Sequence, residues 1–392
     1  MSEILIVGGG IGGLTAALCL AKQGHRVQVF EQASVISEAG AGIQLSPNAT
    51  RVLFHLGLQT PLAEVAFAPQ HTQIRHWRTG RLISSNLLGE TVRARYGFPY
   101  LNVHRGDLIG VLERAVCSEP RIILHVGRRV DAVRQDTDVV SLVADDKSFD
   151  GEILIGADGI RSVVREVLFG PERATFTGNV AWRMLIPVEE LPAGLLPPVA
   201  GLWWGPGRHF VHYFVRRGEL VNCVCVVEQT GWTVESWTEP GNPDELRAAF
   251  AGWHPTIQNL VGAARPDSLF KWALFDRPPM PAWSRGRMSL LGDACHPTLP
   301  FMAQGAAMAI EDGAVLAACV AGGGDISANL DRYAHLRRSR TSGIQLGSRR
   351  NATIFHLSGV KAWLRNRAAG KAASSRLDGL FRYDAIRAAD EG

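Results

Sequence analysis

The chain has 392 residues, of which 46% are hydrophobic and 20% charged, with a formal net charge of +4. That length exceeds what one hydrophobic core organises, so two lobes are expected, and the composition excludes the disordered and fibrous classes. So small a charge gives no footprint for nucleic acid, whereas a small anionic substrate is compatible with it.

At the amino end, ILIV (4–7) reads as a fully buried strand, followed by GGGIGG (8–13) and a small-residue helix that Gly24 ends. A second strand over 26–30 delivers Glu31 and Gln32 at its carboxyl end. Gly8, Gly10 and Gly13 complete G-x-G-x-x-G: the first permits a tight turn, the second admits a pyrophosphate to the backbone, and the third lets helix approach strand. With Gly12, the helix amides and dipole suit phosphates, and Glu31 can accept from a ribose diol, favouring FAD or NAD over a 2′-phosphorylated dinucleotide. The opening segment lacks the basic start of an export signal, and no other run of 18 apolar residues occurs, so a cytoplasmic protein without membrane spans is expected.

Further along come HRGDL (104–108), then a buried strand leading into GADGIRSVVR (156–165), which carries Asp158. Between 175 and 275 the runs AWRMLIPV, GLWWG, HFVHYFV and LVNCVCVVE have the pattern of an antiparallel sheet with one covered face. A strand period puts His209, Val211 and Tyr213 on one face and Phe210, His212 and Phe214 on the other, so HFVH is not a helical metal pair. No metal site is expected, and the six cysteines, lacking CxxC spacing, read as free thiols of a reducing compartment.

The stretch SRGRMSLLGDACHPTLPFMAQGAAMAIEDG (284–313) opens as a strand, places Gly-Asp at its end, passes two prolines and closes as a helix with two acids. Asp293 can accept hydrogen bonds from a ribityl chain, and the helix starting near Ala303–Gly305 would aim its dipole at the pyrimidine edge of a flavin. FAD therefore fits better than NAD as the bound dinucleotide. The GGG at 322–324 follows no strand and reads as a loop, so no second dinucleotide site is expected. Residues 331–392 read as amphipathic helix with arginines on the wet face.

The ordered trio of GxGxxG, the Asp158 segment and GDAxHxxxPxxAQGxxxAxED resembles the single-component, FAD-dependent aromatic hydroxylases, the class of para-hydroxybenzoate hydroxylase, over residues 8–312. GAGIQLSPNA (40–49), HRGDL, the WW…RHFVHY stretch and SRGRMSLLGDACHP look most like its 6-hydroxynicotinate 3-monooxygenase, 3-hydroxybenzoate 6-hydroxylase and salicylate hydroxylase branches. The resemblance implies an α/β fold: a Rossmann-type FAD-binding domain, three-layered with a mostly parallel sheet, interleaved with a substrate domain on an antiparallel sheet, and a helical C-terminus. The corresponding boundaries are 1–70, 101–174 and 276–330 for the FAD domain, 71–100 and 175–275 for the substrate domain, and 331–392 for the helical segment.

By the same resemblance Arg105 contacts FAD, the Val130 backbone meets adenine, and Gly8, Gly10, Gly12, Gly13, Glu31, Gln32, Asp158, Asp293, Gly305 and Ala306 complete the cofactor set. His209 and Tyr213 match catalytic pocket residues, and Gln44, Pro300 and Phe301 join them around the substrate. One departure stands out: relatives that use 6-hydroxynicotinate carry a histidine after GAGI, where this chain has Gln44, which cannot titrate. The implied reaction uses NADH, or NADPH, and O2 to hydroxylate a small aromatic carboxylate through a flavin C4a-hydroperoxide, in a monomer or homodimer. The alternatives are a same-fold halogenase or reductase, or a flavin-binding protein without activity; WRMLIP (182–187) lacks the second tryptophan of the halogenase signature WxWxIP.

Overall fold

The computed structural model describes residues 1–36, 42–229, 231 and 239–390, with backbone only at 370–376. Gly40 and Ala41 of the GAGIQLSPNA stretch lie outside the described residues.

Glu3–Val7 is the inner strand of a six-stranded sheet, ordered Ser284–Arg285, Met288–Leu290, Ile153–Gly156, Glu3–Val7, Arg26–Glu31, Ile122–Val126. All neighbours run parallel except the short Ser284–Arg285 hairpin partner. Both faces are covered, which is why Ile4, Leu5 and Ile6 form an unbroken apolar run with no exposed surface. Helices Ile11–Lys22 and Arg105–Ser118 lie against one another on this sheet, and a three-stranded antiparallel layer (Val130–Gln135, Val140–Ala144, Lys147–Gly151) covers it too, with Phe149 set edge-on to Phe30 at 4.8 Å.

A second sheet has eight strands: Glu239–Pro240, Phe270–Asp276, Thr175–Pro187, Leu220–Glu228, Arg208–Val215, Val199–Gly205, His71–His76 and Leu82–Leu87. It is antiparallel apart from the pairing of Val199–Gly205 with His71–His76. Alternation divides its faces. The outer face sends Trp182, Met184, Trp203, Phe210, Cys223 and Cys225 against the short helices Pro243–Ala249 and Pro255–Gly262. The inner face sends Ala181, Trp204 and Val226 toward Leu299, Phe301 and Phe355.

The carboxyl terminus is helical as expected, Ile326–Phe355 and Gly359–Phe381, and Arg350 and Arg367 lie on its wet face, but two arginines of the first helix depart from that expectation. Arg337 has no exposed surface and binds Glu311 at 2.6 Å and Asp312 at 2.7 Å; Arg340 binds Glu311 at 2.8 Å. The two acids of the Gly305–Ala321 helix are themselves fully buried, so these arginines turn inward to neutralise them. No helix among the described residues is long and apolar enough to cross a membrane.

Candidate active site

Gly8 takes φ +108°, and a Cβ there would lie 2.4 Å from the Ala157 carbonyl oxygen. A Cβ on Gly13 would lie 2.0 Å from the Gly8 oxygen, so the turn closes only because both residues lack side chains. Gly10 is different: a Cβ there would meet nothing within 4 Å, and no side chain caps the helix it begins. The helix thus opens onto unfilled space with its first amides, the environment a pyrophosphate needs. Gly12 faces Leu291 and Ala309, so that the first helix packs closely against the Gly305–Ala321 helix.

Glu31 accepts from the amides of Gly9 (2.8 Å) and Ala33 (2.9 Å), one on each carboxylate oxygen. Each oxygen keeps a second lone pair for a ribose hydroxyl. Gln32 is exposed beside it, and the Arg128 amide on the Glu31 carbonyl (2.8 Å) brings the Val130 segment alongside. Asp158 binds the amides of Val163 (2.7 Å) and Val164 (3.3 Å) through one oxygen, which starts the next helix. Its other oxygen is buried with no hydrogen-bond partner among the described residues, and burial raises the carboxyl pKa.

Asp293 sits in the turn Gly292–Ala294 after the Met288–Leu290 strand. Its side chain is accessible, yet the surrounding chain desolvates it enough to raise its pKa, against the lowering effect of His296 and Arg105. An accessible group that is nonetheless desolvated borders a deep cavity rather than the outer surface. Arg105, whose own pKa burial depresses, is drawn to the same place by Asp293. Downstream, Ala303 holds a left-handed φ of +51°, a strained non-glycine conformation that turns the chain between Pro300 and Gly305. Gln304 fixes this turn, donating to Ser46 Oγ (3.0 Å) and accepting from Asn48 (3.1 Å). Pro300 is exposed, Phe301 is buried, and Gly305 and Ala306 begin the helix behind them.

The inner face of the large sheet roofs this region. His209 and Tyr213 are both almost fully buried there, separated by half-buried Val211. Val224, Leu202 and Arg183 lie in the Val211 row and are half-buried too, although they are central in the sheet. Their accessible surface lines a space under the roof. Gly42, at the start of the strand Gly42–Leu45, touches Tyr213 and donates to Asn222 at 2.7 Å; the period of two places Gln44 on the same face as Gly42.

His209 stands edge-on to Phe301 at 5.0 Å and shares a 2.8 Å hydrogen bond through Nδ1 with His356 Nε2. Burial and the neighbouring imidazole push its pKa well below 6.5, so it is neutral at physiological pH. Its Nε2 has no hydrogen-bond partner among the described residues. Tyr213 has its pKa raised, first by burial, and stays a phenol.

Arg183 was not singled out by sequence reasoning, although a cation in the alternation of an apolar strand was the available signal. Burial first, then the Arg105 charge, brings its pKa down to about 10. Its guanidinium lies 5.1 Å from the Trp272 ring, its Nε has no hydrogen-bond partner, and no acid pairs with it among the described residues. A half-buried, largely desolvated cation with no acidic partner among the described residues is suited to receive an anion. Cys295, His296 and Asp312 come together as a metal site would require, but His296 binds Asp312 at 2.5 Å and Arg337 holds the other Asp312 oxygen. That positive neighbour makes the cluster an ion-pair network.

FAD fits these residues on the chain's own geometry: an open glycine cradle, a strand-end glutamate with lone pairs to spare, a desolvated aspartate beside Arg105 and a second helix N-terminus against the first helix. The comparisons agree. The model of the FAD binding domain family matches residues 1–345. The chain is 42% identical to 6-hydroxynicotinate 3-monooxygenase of Pseudomonas fluorescens over 81% of this chain and 82% of that one. It is 37% identical to 3-hydroxybenzoate 6-hydroxylase of Polaromonas naphthalenivorans (strain CJ2), over 93% and 90%. A solved salicylate hydroxylase substrate complex superposes with a TM-score of 0.84 at 26% identity, covering 99% of this chain and 97% of the other. The chain belongs to the FAD binding domain family, and within it to the FAD-dependent aromatic monooxygenases.

Proposed function

We propose that this enzyme hydroxylates a ring bearing both a hydroxyl and a carboxylate, of the hydroxybenzoate, salicylate or hydroxynicotinate type, using NADH or NADPH and O2. The carrying observation is that, among the described residues, His209 has a bare Nε2 and Arg183 is a half-buried cation with no acid paired to it, and the two share the inner face of one sheet. Their strands are separated by one other, about 10 Å laterally. A planar acid under the roof would set its carboxylate toward Arg183 and its hydroxyl toward His209.

FAD held by these residues would supply the redox chemistry, accepting reducing equivalents from the nicotinamide and activating dioxygen. The chain does the rest. Residues 1–70, 101–174 and 276–330 hold the cofactor, with Gly8, Gly10, Gly13, Glu31, Gln32, Val130 and Asp158 at its adenosine and phosphate end and Arg105, Asp293, Gly305 and Ala306 toward the ring. Residues 71–100 and 175–275 supply the roof. His209 Nε2 accepts the ring-hydroxyl proton as oxygen is transferred, which makes the ring more nucleophilic. Tyr213 and Gln44 orient the substrate, and Pro300 and Phe301 close the wall. The apolar enclosure excludes water, which protects the oxygen transfer from unproductive decay.

The test follows NADH oxidation and product together over a panel of these acids. His209→Ala is expected to lower hydroxylation by about a hundredfold while FAD content stays unchanged. Wild-type turnover in that variant removes His209 from the mechanism.

A further inference from the structure

His209 is sealed from solvent, so a proton it accepts needs a way out. Its only hydrogen bond among the described residues runs to His356, the residue that caps the long helix Ile326–Phe355. His356 Nδ1 in turn meets Glu228 Oε1 at 2.9 Å, at the end of strand Leu220–Glu228. The Glu228 side chain is 58% exposed and lines a cleft of about 850 Å³ with Thr177, Asn179, Gln229, Asp276 and Arg349. A continuous line of three titratable groups thus joins the roofed cavity to water.

Backbone bonds hold this line in place. The Gly207 amide donates to the His356 carbonyl (3.0 Å) and the Glu228 amide to the Gly207 carbonyl (2.9 Å), just before the strand that carries His209. Arg365 binds the carbonyls of Ile354 and Phe355 at 2.8 Å each, fixing the helix end. Phe301 and Phe355 stand edge-on to His209 and occupy the space where water would otherwise compete.

The exposed carboxylate also decides where every proton sits. Ionised Glu228 only accepts, so His356 carries its proton on Nδ1 and presents a bare Nε2. His209 must then donate from Nδ1, which leaves its own Nε2 bare, as the proposed base requires. The other charges about His356 are Arg208 and Arg365, both of which disfavour its protonation, and Glu228, which favours it; burial is the largest effect and lowers its pKa. The Arg349–Asp276 ion pair stands across the cleft.

We propose that His356 and Glu228 are the proton exit of this enzyme: they set the tautomer of His209 and carry the substrate's proton to the cleft. The proposal rests on His209 being the base. When Nε2 takes the ring-hydroxyl proton, the Nδ1 proton passes to His356 Nε2, and the His356 Nδ1 proton passes to Glu228 and then to water. No electron moves. Reversal of the same steps delivers a proton to the product phenolate and restores both tautomers.

The test uses the flavin-loaded enzyme and two variants, His356→Gln and Glu228→Gln, with a substrate from the panel. His356→Gln should lower kcat for hydroxylation on the order of tenfold or more, leaving substrate affinity by flavin titration within about twofold. It should also raise the solvent deuterium effect on kcat, and added imidazole should restore part of the rate. Glu228→Gln, at an exposed position, should give a smaller loss of kcat in the same direction. Wild-type kcat and isotope effect in both variants overturn the exit; so does a loss matched by weaker substrate or flavin binding, which marks a packing role. Those failures leave His209→Ala impaired, whereas a fully active His209→Ala would instead show that the base assignment itself is wrong.

Discussion

One methyl group distinguishes two glycines of the same motif. At Gly13 it would fall 2.0 Å from the Gly8 carbonyl, whereas at Gly10 it would reach into open space. Gly13→Ala is therefore expected to destabilise the fold itself by about 2 kcal/mol or more. Gly10→Ala should leave the melting temperature of the flavin-free protein near wild type while lowering its FAD content; equal behaviour of the two variants would contradict the open cradle. At Arg183 the expectation concerns binding: Arg183→Met should weaken the aromatic acid by roughly 10- to 100-fold, the value of a charge-assisted hydrogen bond, with FAD retained. An unchanged dissociation constant would place the carboxylate elsewhere. The glycine turn after the first strand and the Gly-Asp turn after Met288–Leu290 were legible from sequence because turn geometry is local. Arg183 was not, because what sets it apart is that no acid among the described residues pairs with it, which only tertiary structure discloses.

Between elements, the Gly305–Ala321 helix and the Ile326–Phe355 helix are joined by buried charge. Burial would raise the Asp312 pKa, but His296 and Arg337 outweigh it and bring it down to about 2. His296 is opposed by burial and raised well above 6.5 by Cys295 and Asp312. A depressed acid stabilises above its unfolded value of 3.8 and loses that contribution as pH falls toward 2. A raised histidine stabilises below 6.5 and loses its contribution as pH rises through its folded value. The difference in melting temperature between wild type and Asp312→Asn should accordingly be greatest between these limits and shrink toward acid. Arg337→Met should cost about 3 kcal/mol, since it removes the guanidinium that two buried acids share and leaves only Arg340 on Glu311 and His296 on Asp312. Sequence reasoning turned Arg337 and Arg340 to water because a helical charge pattern does not show a partner helix. It placed the HFVHYFV strand correctly because alternation is written in the strand itself, and its faces match the two faces of the sheet.

At the scale of the molecule, a parallel sheet ending in glycine and aspartate turns faces the inner side of an eight-stranded roof, and the long carboxyl-terminal helix spans both. That helix runs from Arg337, paired with the Gly305–Ala321 helix, to its cap His356 beside His209 of the roof. Topology explains the difference. Motifs mark where the chain touches the cofactor, whereas the assembly of residues 71–87 with 175–276 into one sheet, and the seating of the tail against it, depend on pairings between remote segments. The central claim is that one cavity between these layers holds FAD and an aromatic hydroxy acid together. Its most direct measurement is titration of the purified protein with 3-hydroxybenzoate, salicylate and 6-hydroxynicotinate while the flavin absorption is recorded. A yellow protein whose spectrum shifts saturably with at least one acid is the predicted result; a colourless chain that takes up no added FAD, or a flavin indifferent to all three, would contradict it.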